Sequence, residues 1–195
     1  MSMEDLEREV RLLVPAASVD LSSAKERLKI RDLYFQRTHI SIRVRAWQGQ
    51  QGLKHELTFK FWHGIDSVEE TLPIDDKKAR RLLDEGLKAG LKMISKLRHV
   101  VASDGFVWEI DRYTSPLDFF VIAECEYKNQ NPPVEILRRP AWYRGSNWDI
   151  DHLDITKNID FFDLMLSGNV TALRRYITQH LPAFGGPVDR VDTRE

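Results

Sequence analysis

The sequence contains a single cysteine and no long apolar run, and each of these scarcities excludes a class of protein. Cys125 has no second cysteine to pair with, so a scaffold stabilised by intramolecular disulfides is excluded. No apolar stretch approaches the roughly 18 residues that a membrane-spanning helix needs. The first eleven residues are acidic and mixed, which differs from the basic and then apolar pattern of a secretory signal. We therefore expect a soluble, cytoplasmic protein without a membrane partner.

The chain also lacks an excess of charge of one sign. It has 29 Lys and Arg residues against 30 Asp and Glu residues, for a net charge of -1. Proteins that bind duplex nucleic acid usually carry a basic excess, so no nucleic-acid partner is expected. The six histidines are scattered without the HxH or HExxH spacing of a zinc site, and no glycine-rich phosphate loop is present.

What the chain does have is a series of segments in which charged and apolar residues alternate. A period of two is typical of β-strands. We predict strands at residues 6–14, 32–36, 39–47, 54–62, 67–74, 93–101, 106–113 and 119–127. The GQQG sequence at residues 49–52 and the SDG sequence at residues 103–105 are predicted to form turns between neighbouring strands.

Helical spacing is found in fewer places. Residues 18–28 are predicted to form a short helix, and Asp75 and Asp76 begin a longer one that ends near Gly90. Residues 159–166 and 170–181 are also predicted to be helical. The pattern predicts a mainly β (α+β) protein, an antiparallel barrel or sandwich with flanking helices. At 195 residues we expect one domain over residues 1–158, a helical extension over 159–181 and a flexible tail over 182–195.

Alternate positions of the predicted strands collect charged side chains on one face. The members of this set are Glu7, Glu9, Arg11, Arg43, Arg45, Lys60, Glu69, Lys96, Arg98, Glu109, Asp111, Glu124 and Glu126. A half-exposed antiparallel sheet with a solvated charged face would produce this alternation. A closed barrel with charges inside and apolar residues outside, beneath helices, would produce it too. The periodicity alone does not distinguish between the two arrangements.

The order of short motifs along the chain goes beyond periodicity. The motifs are Glu7-Arg8-Glu9-Val10-Arg11, Asp32-Leu33-Tyr34-Phe35, Arg43-Val44-Arg45, Leu57-Thr58-Phe59-Lys60, Lys96-Leu97-Arg98, Trp108-Glu109-Ile110-Asp111, Glu124-Cys125-Glu126 and Pro140-Ala141-Trp142. In this order they resemble the ExExK, DxYF, RxR, LTxK, KxR, aromatic-E-φ-D, ExE and PxW elements of the CYTH family of triphosphate tunnel metalloenzymes. The resemblance extends over residues 6–158.

The resemblance implies an eight-stranded antiparallel tunnel barrel, open at both ends, whose bore is lined by the charged face. It implies hydrolysis of a small-molecule polyphosphate by water, with inorganic triphosphate as the expected substrate and Mg²⁺ or Mn²⁺ as the cofactor. The residues implied to bind the triphosphate are Arg43, Arg45, Lys60, Lys96 and Arg98. The implied metal ligands are Glu7, Glu9, Glu124 and Glu126, with Glu69 and Asp111 as further candidates. The implied catalytic residues are Glu7, Glu9, Arg11 and Lys96.

These residue types suit the implied chemistry, because guanidinium groups bind phosphate oxygens bidentately and carboxylates are the hard ligands that Mg²⁺ and Mn²⁺ prefer. Two positions depart from the family pattern. Arg11 stands where the family has a lysine, and arginine keeps the charge but does not transfer a proton. Thr71 stands where the family tends to have a second carboxylate.

Alternative functions remain open from the sequence. One is cyclisation of ATP, as in class IV adenylate cyclases, and another is a non-catalytic domain that binds organophosphates. Thiamine triphosphate is an alternative substrate. The sequence also does not decide whether the chain forms a homodimer, because the C-terminal helices could cap one mouth of the barrel or form a dimer contact.

Overall fold

The computed structural model describes residues 8–37, 40–63, 66–114, 117–129, 131–146, 148–156 and 158–180. The strands are β1 Arg8–Pro15, β2 Glu26–Arg37, β3 Ile40–Gly49, β4 Gly52–His63, β5 Asp66–Pro73, β6 Met93–Ser103, β7 Phe106–Tyr113 and β8 Phe120–Tyr127. The helices are α1 Asp76–Lys88, α2 Val134–Leu137, α3 Ile150–Leu153, α4 Ile159–Ser167 and α5 Val170–His180. The predicted tail over residues 182–195 lies outside the described residues.

The eight strands form one antiparallel sheet in the order β1-β8-β7-β6-β2-β3-β4-β5. The sheet curls, because Lys60 on β4 reaches Glu9 on β1, six strands away in hydrogen-bonding order, with 3.2 Å between Nζ and Oε1. The chain after α3 lies along the outer edge of β1, where the Leu12–Asp154 bridge pairs the two segments. The prediction of a mainly β protein with eight antiparallel strands and flanking helices is confirmed.

The predicted turns and the predicted long helix are present for the reasons that the sequence suggests. The β6–β7 hairpin turns on Asp104 and Gly105, both with positive φ (54° and 83°), as a two-residue type I′ connection requires. Helix α1 begins after Asp75, whose side chain accepts a hydrogen bond from the Lys78 amide at 2.8 Å. Gly86 lets α1 approach the sheet, since a Cβ there would lie 2.2 Å from a methyl group of Leu33.

The predicted helix over residues 18–28 is wrong. The chain forms a single 3₁₀ turn at Ala16–Ser18, and Leu28 belongs to β2. In β2, Leu28 pairs with Arg98 and Glu26 with Val100 of β6. This pairing joins strands that are distant in the sequence, and that tertiary contact outweighs a weak local helical pattern.

The main hydrophobic core lies on the convex side of the sheet. It joins outward-facing residues of β1, β6, β7 and β8 to the segments that cover them: Val10, Leu12, Val14, Val101, Trp108, Ile110, Val121, Ala123 and Cys125 pack with Ile136, Trp142, Tyr143 and Leu153. Cys125 is among them, and burial together with the charge of Glu126 raises the pKa of its thiol to about 12. The apolar residues therefore lie outside the curl of the sheet.

A second core fills one end of the concave side. Inward-facing residues of the strands, Leu13, Ile94, Tyr113, Phe120 and Ile122, pack with Phe161, Met165, Leu173 and Ile177 of α4 and α5. The structure differs here from the bore open at both ends that the resemblance implies, since the C-terminal helices occupy one end of it.

No helix in the described ranges combines the length and apolar character needed to cross a membrane.

Candidate functional site

The concave face of the sheet carries the charged set that the period-two pattern predicts. The strand register places Arg11 opposite Glu124, Arg98 opposite Asp111 and Lys60 opposite Glu69. The cations Arg45, Lys60, Lys96 and Arg98 are each 6–8% exposed. Because these four cations are buried while their outward-facing neighbours form the core, this part of the charged set lines an enclosed face and is not a solvated surface.

A buried cluster of ion pairs lies on β2, β3, β6 and β7. Asp32, which is fully buried, accepts two hydrogen bonds of 2.8 Å from Arg45. Asp111, also fully buried, accepts from Lys96 and, through both oxygens at 2.7 Å, from Arg98. These bidentate pairs fix the directions of the two guanidinium groups.

The cations of this cluster determine the ionisation of its carboxyl groups. Burial alone would raise the pKa of Asp32, but the adjacent Arg45, Lys96 and Arg43 outweigh it and lower the pKa to about 2. Burial likewise opposes ionisation of Asp111, and Lys96 and Arg98 hold its pKa below the ordinary value. Burial and the charge of Asp111 raise the pKa of Tyr113 well above its ordinary value, so its hydroxyl stays protonated. Both aspartates are therefore charged in the folded protein at neutral pH.

A second network connects the two edges of the sheet. Lys60 lies between Glu9 and Glu69, at 3.2 Å and 3.5 Å. Arg43 donates to Glu69 at 3.2 Å and to Thr58 at 3.1 Å. The four charged side chains of this network are 10–23% exposed, so it lies nearer to solvent than the cluster around Asp111.

Arg43 has a donor that this network leaves unused. Its Nε is buried and has no hydrogen-bond partner in the part of the chain that the structure describes. An unpaired buried donor is unfavourable by about 1–3 kcal/mol, and by more when it is charged. An acceptor supplied by a bound anion would satisfy it.

Arg98 differs from the other predicted phosphate-binding cations. All three of its nitrogens donate to carboxylates, those of Glu109, Asp111 and, at 3.0 Å, Glu124. Its guanidinium therefore holds three acids of β7 and β8 in place. Its predicted role in binding triphosphate stays a prediction.

Three of the predicted metal ligands lie on the neighbouring strands β1 and β8. Glu9 and Glu126 are opposite each other in the β1–β8 register, and Glu124 precedes Glu126 by two positions on β8. Glu126 is exposed, and Glu7 lies outside the described residues. Asp32 was not predicted as a site residue, although the Asp32-Leu33-Tyr34-Phe35 motif contains it, because its strand was predicted to begin at this position.

Carboxylates are suitable ligands for a divalent metal ion, but the carboxylates of this face are not arranged to bind one. Within the described ranges, no three His, Cys, Asp or Glu side chains are grouped closely enough to hold a metal ion. Glu9 and Glu124 are instead both bound to Arg11, the second with 3.0 Å between Nε and Oε1. The described residues as arranged do not fit a resident metal, and metal binding by the predicted glutamates stays a prediction.

The lowered pKa values predict acid sensitivity. A carboxyl group whose pKa is lower in the folded than in the unfolded chain stabilises the fold above its unfolded value, near 3.9, and that stabilisation is lost as the pH falls. For Asp32, with a folded pKa of about 2, the loss falls between about pH 4 and pH 2 and amounts to about 2 kcal/mol. The urea midpoint is expected to drop through this range, and to drop less in Asp32→Asn. A midpoint constant from pH 6 to pH 2 would contradict this.

Comparison with known proteins gives likenesses of fold. No family model matches the sequence, and the search of curated proteins found no match. The solved structure of the inorganic triphosphatase NE1496 is 18% identical over 78% of this chain and 88% of its own, with a TM-score of 0.49. HpAC1 from Hippeastrum, with a dominant triphosphatase activity, is 18% identical over 63% of this chain and 80% of its own, with a TM-score of 0.43.

A third similar structure is that of a candidate adenylate cyclase (bh2851) from Bacillus halodurans. It is 11% identical, covers 92% of this chain and 91% of its own, and has a TM-score of 0.46. At identities below 25% and TM-scores below 0.5, these three proteins are similar to the chain in fold, and no functional conclusion rests on them.

Proposed function

We propose that the chain is a tunnel-type triphosphatase of the CYTH kind, which hydrolyses inorganic triphosphate on the concave face of its sheet. The observation that supports this most directly is the unpartnered, buried Nε of Arg43, among three further buried cations on the same face, Arg45, Lys60 and Lys96. Such a set is suited to a compact polyanion, because each phosphoryl group can accept from more than one cation.

The triphosphate would exchange partners with ion pairs that the protein already contains. Arg43 and Lys60 now hold Glu69 and Glu9, at 3.2 Å in both cases. When phosphate oxygens take up these cations, the carboxylates become free to contact a divalent cation. Mg²⁺ and Mn²⁺ bind through a few carboxylates together with substrate phosphates, so we propose that the ion arrives as part of the substrate and neutralises its oxygens.

The reaction is transfer of the terminal phosphoryl group to water. Water attacks the terminal phosphorus, the bond to the bridging oxygen breaks, and pyrophosphate leaves with the electron pair. In this proposal Arg43, Arg45 and Lys96 stabilise the charge that develops on the leaving group. Glu9, which lies between Lys60 and Arg11, is a carboxylate that can accept the proton of the water.

Inorganic triphosphate is favoured over nucleotides by the closed end of the concave face. A nucleoside base needs an apolar surface on which to stack. The apolar end of this face is already filled by Phe161, Met165, Leu173 and Ile177 of the C-terminal helices. The charged part that remains matches a substrate that is ionic along its whole length.

One assay tests the proposal. The protein is incubated with tripolyphosphate, ATP or thiamine triphosphate, with Mg²⁺ or Mn²⁺, and phosphate, pyrophosphate and cyclic AMP are followed. We expect phosphate and pyrophosphate in equal amounts from tripolyphosphate, and slower release from the other two. Cyclic AMP with pyrophosphate from ATP would replace the proposal by a cyclase, and saturable binding without turnover would replace it by a binding domain.

The variant Glu9→Gln is expected to lose metal-dependent turnover by about tenfold or more, since a neutral amide is a poorer ligand and a poorer base. Circular dichroism and the urea midpoint should show that the fold survives. Glu70→Gln is the matched control, because Glu70 is exposed on the opposite face of β5, next to Glu69. Equal turnover in the two variants would show that Glu9 is not part of the reacting site.

A further inference from the structure

Arg11 occupies an unusual place among the charges of the concave face. Its guanidinium joins two carboxylates of different strands, Glu9 through Nη2 and Glu124 through Nε. The side chains of all three residues are only 11–19% exposed. The guanidinium also lies over the ring of Phe162 in α4, at 5.2 Å from the centroid. The carboxylates thus contact one fixed internal cation from both sides.

The carboxylates that Arg11 holds are among those that the divalent cation of the proposed function would need. Each carboxyl group also contacts a second cation, since Glu9 lies 3.2 Å from Lys60 and Glu124 lies 3.0 Å from Arg98. An incoming divalent cation would compete with the guanidinium for the same oxygens and would meet its positive charge at short range. Like charges at such short range repel each other strongly at a site with little water.

We infer that Arg11 prevents the free protein from binding a divalent cation, and that the cation binds only together with the triphosphate. This inference rests on the proposed function, because it assumes that the concave face receives a triphosphate. A guanidinium pairs bidentately with phosphate as readily as with carboxylate. An arriving triphosphate can therefore take over Arg11 and leave Glu9 and Glu124 free to contact the cation that it brings.

The inference has a thermodynamic consequence. If the bound triphosphate frees the carboxylates that bind the divalent cation, the triphosphate increases the affinity for the cation. The cation must then increase the affinity for the triphosphate by the same factor. Phe162 contributes by holding the guanidinium in place through a cation–π contact in the absence of the anion. A lysine at this position would make neither a fork between two carboxylates nor the same stacking contact. Arg11, which stands where the family motif has a lysine, is therefore the residue that would produce this coupling.

The test measures Mn²⁺ binding without turnover, through the electron paramagnetic resonance signal of free Mn²⁺. Wild type and Arg11→Gln are titrated alone and with imidotriphosphate, in which NH groups replace the bridging oxygens. Alone, Arg11→Gln is expected to bind Mn²⁺ at least about tenfold more tightly than wild type, which corresponds to about 1.4 kcal/mol. With imidotriphosphate present, the affinity of wild type for Mn²⁺ should rise by at least the same factor.

Arg112→Gln is the control, since Arg112 is exposed on the opposite face of β7 and its replacement removes the same charge. It should bind Mn²⁺ as wild type does. If Arg11→Gln does not fold, Arg11→Lys replaces it and is expected to bind Mn²⁺ more tightly than wild type, because lysine cannot bridge the two carboxylates as the guanidinium does. The inference is overturned if, without imidotriphosphate, wild type binds Mn²⁺ as tightly as the Arg11 variant does.

The proposed function fails by a different observation. If imidotriphosphate does not bind wild type at any Mn²⁺ concentration, the face is not a triphosphate site. The comparison of wild type with Arg11→Gln in the absence of anion still decides whether Arg11 excludes the cation. If imidotriphosphate binds equally well with and without Mn²⁺, the face is an anion site and the coupling is overturned.

Discussion

Replacement of Arg43 by glutamine is expected to lower kcat/KM for tripolyphosphate by about 100- to 1,000-fold, the effect of removing one preorganised donor from a charged transition state. Its Nε is buried without a partner, while its Nη2 is held by Glu69 and Thr58. The side chain is thus already directed by the protein and has one strong donor left for a ligand. Glutamine keeps part of the packing but lacks the positive charge and the planar set of N–H donors of the guanidinium.

The measurement is a set of initial rates over a range of tripolyphosphate concentrations, with imidotriphosphate binding measured in parallel. Arg43→Lys should fall between wild type and Arg43→Gln, because lysine restores the charge without the planar donor pair. Arg112→Gln serves again as the control for loss of a positive charge. Unchanged kcat and KM in Arg43→Gln would remove the main support for an anion site on this face.

The largest effect on stability is expected from Asp111→Asn, at about 3–5 kcal/mol. Asp111 is fully buried and neutralises Lys96 and Arg98, which are 6% and 7% exposed. Asparagine is nearly the same size but carries no charge. The variant therefore leaves two buried cations with less compensation, and this is the condition that makes a broken buried ion pair costly.

Urea unfolding at pH 7 measures this effect. Asp84→Asn, on the exposed side of α1, is the matched control and should change the free energy of unfolding by less than about 0.5 kcal/mol. The double variant Asp111→Asn, Lys96→Met should be less destabilised than the sum of the two single variants, because it removes a cation together with its partner. A loss below about 1 kcal/mol in Asp111→Asn would show that water or other acids compensate these cations.

The strands and the face of each site residue could be predicted from the sequence because both depend on a local rule. Side chains alternate along a strand, so the inward direction of Arg43 and Arg45 follows from their positions next to Val44. Seven of the eight strands were predicted close to their observed bounds for this reason. The first half of β2 was not, because Leu28 and Ile30 are strand residues only through their pairing with β6 and β3.

The role of Asp32 shows where local rules end. Its complete burial and its two hydrogen bonds with Arg45 depend on the β2–β3 register, in which the two residues are directly opposite. A register between segments is set by long-range packing and is not visible in either segment alone. The same limit applies to the contact of Lys60 with Glu9, which requires the whole sheet to curl.

The sequence by itself determined a mainly β chain, the alternation of its strands and the charged side chains on one face of them. Only the tertiary structure decided that this face is concave and enclosed, that α4 and α5 fill one end of it, and that Arg11 lies between Glu9 and Glu124. Alternation is a property of a few consecutive residues, whereas enclosure depends on curvature and on which distant segments cover which face. Burial then converts an ordinary set of surface-type charges into fixed pairs, because it removes the water that would otherwise solvate them.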